Sequence, residues 1–274
     1  MPAAIDLPTI ARQIRSAQDE VRTIEPITAR LPDFDLPAAY TVARLIHEKR
    51  LAAGATAIGR KIGFTNPYMW QRYGVRAPNW AHVYDTTVVH AVDGQASVAL
   101  GRFSQPKLEP EIVLHFHSAP PVGSNADAVL RCIDWIAPGF EIVQSHYPDW
   151  KFEAPDATAD SALHAALVVG EPQPLDQLGA DVAARLQSFD LELSCDGTPR
   201  DIGKGSNVLG SPLAAAVHLI AQLAKQAPEH QQLQAGELVT TGTLTAAWSV
   251  RAGETWRTAV HGLALPGLAV RFSD

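Results

Sequence analysis

Residues 105–150 read QPKLEPEIVLHFHSAPPVGSNADAVLRCIDWIAPGFEIVQSHYPDW, and the rest of the chain is interpreted from this stretch. Residues 108–117 predict a strand, because apolar positions alternate with other residues. Side chains of a strand alternate between its two faces. One face is therefore apolar and is expected to pack on a core; it carries Leu108, Pro110, Ile112, Leu114 and Phe116.

The opposite face of this strand carries Glu109 and Glu111, two positions apart. Their Cα atoms are expected to lie roughly 6–7 Å apart, so both carboxylates could reach one ion. Glu141 starts a second strand-like run, FEIVQ, and could supply a third carboxylate. Oxygen ligands without cysteine suit Mg²⁺ or Mn²⁺ better than Zn²⁺. An ordinary solvated strand face would give the same Glu-x-Glu spacing, so the spacing leaves both interpretations open.

Two histidines follow on the same strand, but the spacing argues against them as ligands. His115 lies four residues beyond Glu111, which is roughly 13 Å along a strand and too far for the same ion. We interpret His115 and His117 as a polar strand end.

Composition indicates an ordinary globular protein. The chain has 274 residues, of which 46% are hydrophobic and 19% charged, so its core can be large. A formal net charge of −7 without a basic run argues against nucleic-acid binding. The two cysteines, Cys132 and Cys195, form neither a disulfide framework nor a metal motif. The first residues, MPAAIDLPTI, carry no signal-peptide pattern and no long apolar run follows, which predicts a cytoplasmic protein without a membrane partner.

Local patterns predict a helical beginning followed by many strands. Helices are expected at 5–22 and at 36–53, where Gly54 ends the second one. Further helices are predicted at 125–137, 180–186 and from Ser211-Pro212 to about 227. Strands are predicted at 55–63, 83–90, 96–100, 162–169, 189–194, 237–242, 256–261 and 268–272. Helices and strands do not alternate regularly, which favours a mixed, β-rich α+β fold over a doubly wound sheet.

Candidate polar residues outside this stretch each have an ordinary structural interpretation as well. Lys61, in GRKIGFT at 59–65, could meet a substrate carboxylate or a developing enolate oxygen, or could be a surface lysine beside a turn. The turn at Thr240–Thr241–Gly242 could offer N–H and hydroxyl groups to an anion, or could be a plain hairpin. His146 could be a general acid or base, or an inert loop histidine.

One glycine-rich segment resembles a phosphate-binding loop only superficially. Residues 203–206 read GKGS, which fails the GxxxxGK[ST] spacing, and the next helix begins too late. This segment is predicted to be a structural turn.

Several motifs occur together in an order that resembles one enzyme group. They are GRKIGFT, QPKLEPEI, FEIVQSHYPDW, TADSA, GKGSNVLGSP, GELVTTGTL and GLALPGLAV. The chain resembles, over nearly its whole length, the 2-oxopent-4-enoate hydratase and 4-oxalocrotonate decarboxylase group of the fumarylacetoacetate hydrolase superfamily. The resemblance implies a fumarylacetoacetase-type fold with a helical segment at 1–55, a catalytic domain at 56–274 and assembly into a homo-oligomer.

The resemblance also implies a set of site residues. It implies Mg²⁺ or Mn²⁺ at Glu109, Glu111 and Glu141, with Lys61 as the active-site lysine. His146 is a second catalytic candidate from its residue type, not from the resemblance. Substrate-binding positions implied or suggested by the matching motifs are Lys61, Gly63, Asn79, Ser161, Thr241 and Gly242.

Three positions depart from the group's pattern. His146 stands where an arginine is usual, Ser161 where an asparagine is usual, and Asn79 where an aspartate is common. All three lie near the expected pocket, so they bear on the substrate and on the reaction.

The resemblance implies a divalent-metal-dependent lyase of aromatic-compound catabolism, a hydratase that adds water to a 2-hydroxy-2,4-dienoate or 2-oxo-enoate. The metal would stabilise an enolate formed from a chelating 2-oxo acid. The alternatives are a 2-oxo-3-enedioate decarboxylase, an acylpyruvate C–C hydrolase, and a non-catalytic partner subunit of the same fold. Three converging carboxylates argue against the last alternative, because they repel one another without a cation.

Overall fold

The structure is a computed structural model that describes residues 5–67, 70, 75, 77–179, 181–226 and 232–274. Its helices are α1 Leu7–Asp19, α2 Ile27–Arg30, α3 Leu36–Ala52, α4 Ala126–Leu130, α5 Ala154–Ala159, α6 Val182–Ser188 and α7 Pro212–Gln226. Its strands are β1 Ala57–Gly63, β2 Asn79–Tyr84, β3 Val88–His90, β4 Gln95–Ala99, β5 Lys107–Phe116, β6 Ile133–Val143, β7 His164–Val169, β8 Gln173–Pro174, β9 Asp190–Cys195, β10 Thr198–Lys204, β11 Leu238–Thr240, β12 Trp248–Ser249, β13 Thr255–His261 and β14 Ala269–Ser273.

The predicted N-terminal helices are present. Asp6 caps α1 by accepting a hydrogen bond from the Thr9 N–H, and Asp35 caps α3 in the same way. After α3 the chain turns at Gly54, whose φ of +94° favours glycine. The buried side chains of these helices form a small core of their own with Ala159 of α5. The predicted domain boundary at residue 55 stays a prediction.

Two sheets and the helices α4 to α7 form the rest of the described chain, as expected for an α+β protein. The larger sheet has nine strands in the order β2-β1-β11-β5-β6-β7-β3, with β12 beside β5 and β8 beside β6. The smaller sheet has five strands in the order β10-β9-β13-β14-β4. The main core joins apolar residues of both sheets with the buried face of α7.

The strand predicted at 108–117 is confirmed as β5, which lies centrally in the larger sheet. Its apolar face is buried as expected: Leu108, Ile112, Leu114 and Phe116 are inaccessible to solvent. In the antiparallel pairing with β6, Glu109 lies directly opposite Glu141. Opposed residues of an antiparallel pair point to the same face. The pairing therefore brings both carboxylates to the face that also carries Glu111.

The helix predicted at 125–137 is wrong beyond its first turn and a half. Only Ala126–Leu130 is helical, and residues from Ile133 to Val143 form the eleven-residue strand β6. Pro138 and Gly139, expected to end a helix, lie inside this strand opposite Ile112 and Glu111. A Cβ at Gly139 would lie 2.7 Å from Val113 Cγ2, so the close pairing requires glycine. Long-range pairing with β5 thus overrides the local helical spacing.

Other predicted elements shift more modestly. The run at 83–90 is divided between β2 and β3 by a turn at Asp85–Thr87. The helix predicted at 180–186 is present as α6, while its predicted start at 180 and the predicted end of α7 at 227 lie outside the described residues. Strand β10 was not predicted. The GKGS segment has a structural role: a Cβ at Gly205 would lie 2.0 Å from the Leu186 carbonyl oxygen.

One segment, Gly205–Gln226, is long and apolar enough to cross a membrane by length and composition. Helix α7, which forms most of it, buries Leu213, Leu219 and Leu223 in the main core. A buried core helix meets the same criterion, so the segment is weak evidence for a membrane span.

Candidate metal centre

Three glutamates meet on one face of the larger sheet. Glu109, Glu111 and Glu141 each offer a carboxylate oxygen, and these atoms lie within 4.8 Å of one another. Glu109 and Glu111 are two residues apart on β5, and Glu141 faces Glu109 from β6. The sheet register alone therefore assembles the cluster predicted from the strand pattern.

The turn after β11 anchors one oxygen of Glu111. Glu111 Oε2 accepts hydrogen bonds from the Thr240 hydroxyl and from the Gly242 N–H, the latter at 2.7 Å. The Thr241 hydroxyl instead donates to the Ile112 carbonyl, so it is turned away from the carboxylates. Gly242 has a φ of +100°, and a Cβ there would lie 1.7 Å from Thr65 Oγ1. The Thr241–Gly242 turn thus holds a ligand candidate through the backbone of Gly242.

Two buried basic side chains contact the carboxylate of Glu141. His164 Nδ1 is hydrogen-bonded to Glu141 Oε1 at 2.8 Å, and Lys61 Nζ forms an ion pair with Glu141 Oε2 at 3.3 Å. Lys61 Nζ also donates to the Ala162 carbonyl at 2.8 Å, which directs the ammonium group into the site. The side chain of Lys61 is only 3% exposed, so it is not a surface lysine.

The cluster brings three carboxylates together away from bulk water, so their negative charges repel one another. Burial and the neighbouring carboxylate of Glu141 raise the pKa of Glu109 to about 7, and burial with the other two carboxylates raises the pKa of Glu111 well above its usual value. Burial would also raise the pKa of Glu141, but the Lys61 charge and the His164 contact outweigh it, and the pKa is lowered. For Lys61, burial opposes the charge, yet the three glutamates raise its pKa.

A hard divalent cation fits this cluster. Three carboxylates face one Lys61, so a negative charge remains that a dication would neutralise. Within the described part of the chain, Glu111 Oε1 has no hydrogen-bond partner, although it is buried. Such an orphaned acceptor is costly unless a cation or water occupies the space beside it. The donor set is all oxygen, which matches the expectation of Mg²⁺ or Mn²⁺ rather than Zn²⁺.

A cleft opens over the cluster. Lys61, Glu109 and Glu111 lie on its floor, and the turn at Gly242–Thr245 forms one wall. The apolar lining of the cleft includes Phe64, Val143, Trp150, Phe152 and Leu163.

Gly63 and Asn79 stand side by side at the cleft, as their assignment to substrate binding requires. A Cβ at Gly63 would lie 2.6 Å from Asn79 Oδ1 and 3.3 Å from Lys61 Nζ, so glycine keeps the approach to the ammonium group open. The Asn79 amide donates to Thr158 Oγ1 at 3.1 Å, whereas its buried Oδ1 has no partner among the described residues.

The structure places Ser161 and His146 away from this cleft. Ser161 lies beside Ala162, but its hydroxyl is directed towards Gln18, 3.4 Å away. His146 is fully buried, and its Nδ1 is hydrogen-bonded to Asp160 at 2.7 Å. Neither residue is among the described residues that line the cleft. This position gives His146 no contact with the three glutamates, so its catalytic assignment finds no geometric support.

Two residues of the site were not anticipated, Thr240 as a partner of Glu111 and His164 as a partner of Glu141. Thr240 ends a short apolar strand, and His164 opens the apolar run HAALVV. A polar residue at the end of a buried strand is the signal that could have identified both. His115 and His117 lie apart from the site, as predicted: they contact Asp134 and the Arg131 carbonyl.

The chain is similar to known proteins over most of its length. The profile of the fumarylacetoacetate (FAA) hydrolase C-terminal family matches residues 67–267. The chain is 28% identical over 260 residues to a 2-keto-4-pentenoate hydratase of Paraburkholderia xenovorans, covering 92% of this chain and 90% of that one. It is 31% identical over 225 residues to a 4-oxalocrotonate decarboxylase of a Pseudomonas species, covering 82% and 83%.

Two solved structures are also similar to this chain. The 4-oxalocrotonate decarboxylase of Pseudomonas putida G7, complexed with magnesium and adipate, has a TM-score of 0.87 and 27% identity, and the match covers 97% of both chains. A fumarylpyruvate hydrolase of Pseudomonas aeruginosa shares only the fold, with a TM-score of 0.58 and 15% identity over 79% of this chain and 89% of that one. The predicted fumarylacetoacetase-type α+β fold is confirmed, and the chain belongs to the fumarylacetoacetate hydrolase family.

Proposed function

We propose that the protein is a divalent-cation-dependent lyase that hydrates a 2-hydroxy-2,4-dienoate or 2-oxo-enoate in the catabolism of aromatic-type compounds. The observation that carries the proposal is the cluster of Glu109, Glu111 and Glu141 beside the buried Lys61. Relatives named 2-keto-4-pentenoate hydratase and 2-hydroxyhexa-2,4-dienoate hydratase, matched over more than nine-tenths of this chain, support the substrate class.

The metal would be Mg²⁺ or Mn²⁺, held by the three glutamates. When bound there, it supplies a Lewis acid for the carboxylate and 2-oxo oxygens of a chelating substrate. The magnesium complex of the similar decarboxylase supports Mg²⁺ as the first candidate.

Lys61 would add the second positive charge of the site. Its ammonium group is held by the Ala162 carbonyl and the Glu141 carboxylate, and Lys61 lines the cleft that the substrate would enter. A buried, pre-oriented cation stabilises developing negative charge more strongly than the same charge in water does. Lys61 is therefore proposed to stabilise the enolate form of the substrate.

The walls of the cleft would position the rest of the substrate. The apolar side formed by Val143, Trp150 and Leu163 suits an unsaturated carbon chain and excludes water from it. Asn79 Oδ1, buried and without a partner in the described part of the chain, could accept a hydrogen bond from a substrate hydroxyl or from water. Gly63 leaves room for this approach. We propose Lys61, Gly63, Asn79 and Gly242 as the residues closest to substrate.

Decarboxylation of a 2-oxo-3-enedioate is a second candidate, and a specific observation favours it. Hydration requires a base that takes a proton from water, whereas loss of CO₂ requires only an electron sink and a later proton donor. Among the described cleft residues, the carboxylates are those of the metal cluster, and the position near Lys61 is a neutral Asn79. The similar decarboxylase structure supports this candidate too.

Product mass separates the two reactions. The purified protein with Mg²⁺ is expected to convert 2-hydroxypenta-2,4-dienoate into a product heavier by one water. A product lighter by one CO₂ from the six-carbon 2-oxo-enedioate would instead identify a decarboxylase, and two acids from an acylpyruvate a hydrolase. Lys61→Met serves as the control for background reaction. No turnover of any substrate by protein that binds metal would contradict the proposal and leave the partner-subunit alternative.

We also propose that the enzyme is cytoplasmic and that it forms a homo-oligomer. Light scattering on the purified chain tests the assembly, since a monomer at micromolar concentration would contradict it.

A further inference from the structure

We propose that His164 is a positioning residue of the metal centre, which fixes the orientation of the Glu141 carboxylate. The proposal rests on the metal site proposed above and extends it to a residue that makes no contact with substrate. His164 lies at the first position of β7, next to the strand that carries Glu141.

The imidazole ring bridges two elements. Its Nδ1 lies 2.8 Å from Glu141 Oε1, and its Nε2 lies 3.0 Å from the Thr87 hydroxyl. Thr87 belongs to the turn between β2 and β3 and is itself held there, because its hydroxyl donates to the Tyr84 carbonyl at 3.0 Å. Contacts at both ring nitrogens fix the orientation of the imidazole. His164 therefore links the Glu141 carboxylate to the turn between β2 and β3.

Two of the three glutamates share a common arrangement. Glu111 has Oε2 anchored by Thr240 and Gly242, while its Oε1 has no hydrogen-bond partner in the described residues. Glu141 has Oε1 anchored by His164, while its Oε2 likewise has no hydrogen-bond partner there and faces Lys61 as an ion pair. In each case one oxygen is fixed by the protein and the other is left for the space between the carboxylates.

Anchoring matters for Glu141 because Lys61 competes for it. Without His164, the carboxylate could rotate to give both oxygens to the Lys61 ammonium group, which is 3.3 Å away. A histidine contact on one oxygen restricts that rotation and lowers the entropy lost when a cation binds. Outer partners of metal ligands commonly change metal affinity by about 10- to 100-fold when they are removed.

Binding of Mn²⁺ alone, followed by the electron paramagnetic resonance of the free ion, tests the proposal without any turnover assay. His164→Leu removes both contacts and is expected to weaken Mn²⁺ binding by about 10- to 100-fold. His164→Asn keeps a side-chain N–H near the position of Nδ1 and is expected to recover most of the affinity. Thr87→Val, which releases the far side of the ring, should have a smaller effect in the same direction. His115→Leu is the matched control, since His115 contacts Asp134 in a similar way but lies outside the cluster.

The outcomes distinguish this inference from the metal site itself. If the unaltered protein binds no Mn²⁺, both the metal site and the role of His164 are overturned. If it binds Mn²⁺ and His164→Leu binds equally well, only the role of His164 is overturned. Should His164→Leu fail to fold, Thr87→Val decides, and an unchanged affinity for Mn²⁺ in that variant overturns the proposal. Thermal unfolding of the metal-free variants shows that the compared proteins are folded.

Discussion

Two buried histidine–carboxylate pairs lie within the described part of the chain, and one of them belongs to the candidate metal centre. His164 contacts Glu141 at 2.8 Å and His146 contacts Asp160 at 2.7 Å. All four side chains are at most 3% exposed. By distance and burial the two pairs cannot be told apart.

The pairs differ in what the second carboxylate oxygen faces. Glu141 Oε2 faces Lys61, and the Glu141 carboxylate lies beside those of the other two glutamates. Asp160 Oδ1 accepts a hydrogen bond from Gln18 of α1, 2.8 Å away. The pair at Asp160 therefore joins the N-terminal helices to the rest of the chain, whereas the pair at Glu141 orients a metal ligand. A histidine beside a carboxylate is not by itself a sign of catalysis.

The largest expected effect is that of Glu111→Gln, which removes one of the three carboxylates proposed to bind the metal. Loss of a charged ligand should weaken Mn²⁺ binding by more than about 100-fold, beyond the effect typical of an outer partner. The metal-free variant should unfold at a higher temperature than the unaltered protein, because one buried, repelling charge is gone. Mn²⁺ titration and thermal unfolding in a chelator measure the two effects. Unchanged Mn²⁺ affinity would contradict the proposal that the three glutamates bind the metal.

Next in size is the effect of Lys61→Met on turnover. Removal of a pre-oriented positive charge is expected to lower kcat by about 10²- to 10³-fold. Metal affinity should hold or increase, since a cation that repels the dication has been removed. Turnover with the hydratase substrate and Mn²⁺ affinity are measured on the same sample, with Lys204→Met, a change at an exposed lysine, as control. A parallel loss of kcat and metal affinity would contradict this separation of roles.

An intermediate effect is expected from pH on the metal-free protein. The pKa of Glu109 is raised from 4.5 to about 7, first by burial and then by Glu141. A carboxyl with a raised folded-state pKa contributes stability below its unfolded pKa, and that contribution is lost as pH rises through about 7. The metal-free protein should thus become less stable between pH 5 and pH 8, and added Mn²⁺ should stabilise it most at the alkaline end.

Glu109→Gln sharpens the pH experiment, because it removes the titrating group without changing its size. Its metal-free form should show a flatter dependence of unfolding temperature on pH. A dependence as steep as that of the unaltered protein would assign the effect to another group.

The smallest effect on the metal centre is expected from His146→Leu. The buried Asp160 carboxylate would lose a partner, which should lower the free energy of unfolding by about 1–3 kcal/mol. Mn²⁺ affinity and kcat should be unchanged, because the pair lies outside the cleft. A loss of kcat in folded His146→Leu with normal metal affinity would restore the catalytic role suggested by the sequence and break the comparison.

The sequence predicts more of the candidate metal centre than of the fold around it. Glu109 and Glu111 follow from the two-residue period of a strand, which is a local property of the sequence. Glu141 followed from its apolar neighbours and from the resemblance, which also supplied the fold. The residues that anchor the glutamates could not be found this way, because Thr240 lies 129 residues beyond Glu111 along the chain. Such a contact depends on the order of strands in the sheet.

The same limitation explains the wrong helix at 125–137. The spacing of Ile133 and Ile136 is compatible with a helix, and Pro138 suggested its end. Only pairing with β5 on one side and β7 on the other makes an eleven-residue strand of this region. His146 was placed near the metal for a similar reason: it follows Glu141 closely in sequence, but the chain leaves the sheet after Val143.

The opposition of Glu109 and Glu141 across β5 and β6 has a consequence for changes of chain length. Inserting or deleting one residue within either strand would turn every later side chain to the opposite face and would send one carboxylate into the apolar core. The connection between the two strands, residues 117–132, includes α4, whose Val129 is buried in the main core, but residues 121–123 ahead of it are exposed and can be lengthened. Engineering of this enzyme can therefore vary the length of the exposed turn at 121–123 while the two strands and α4 keep theirs.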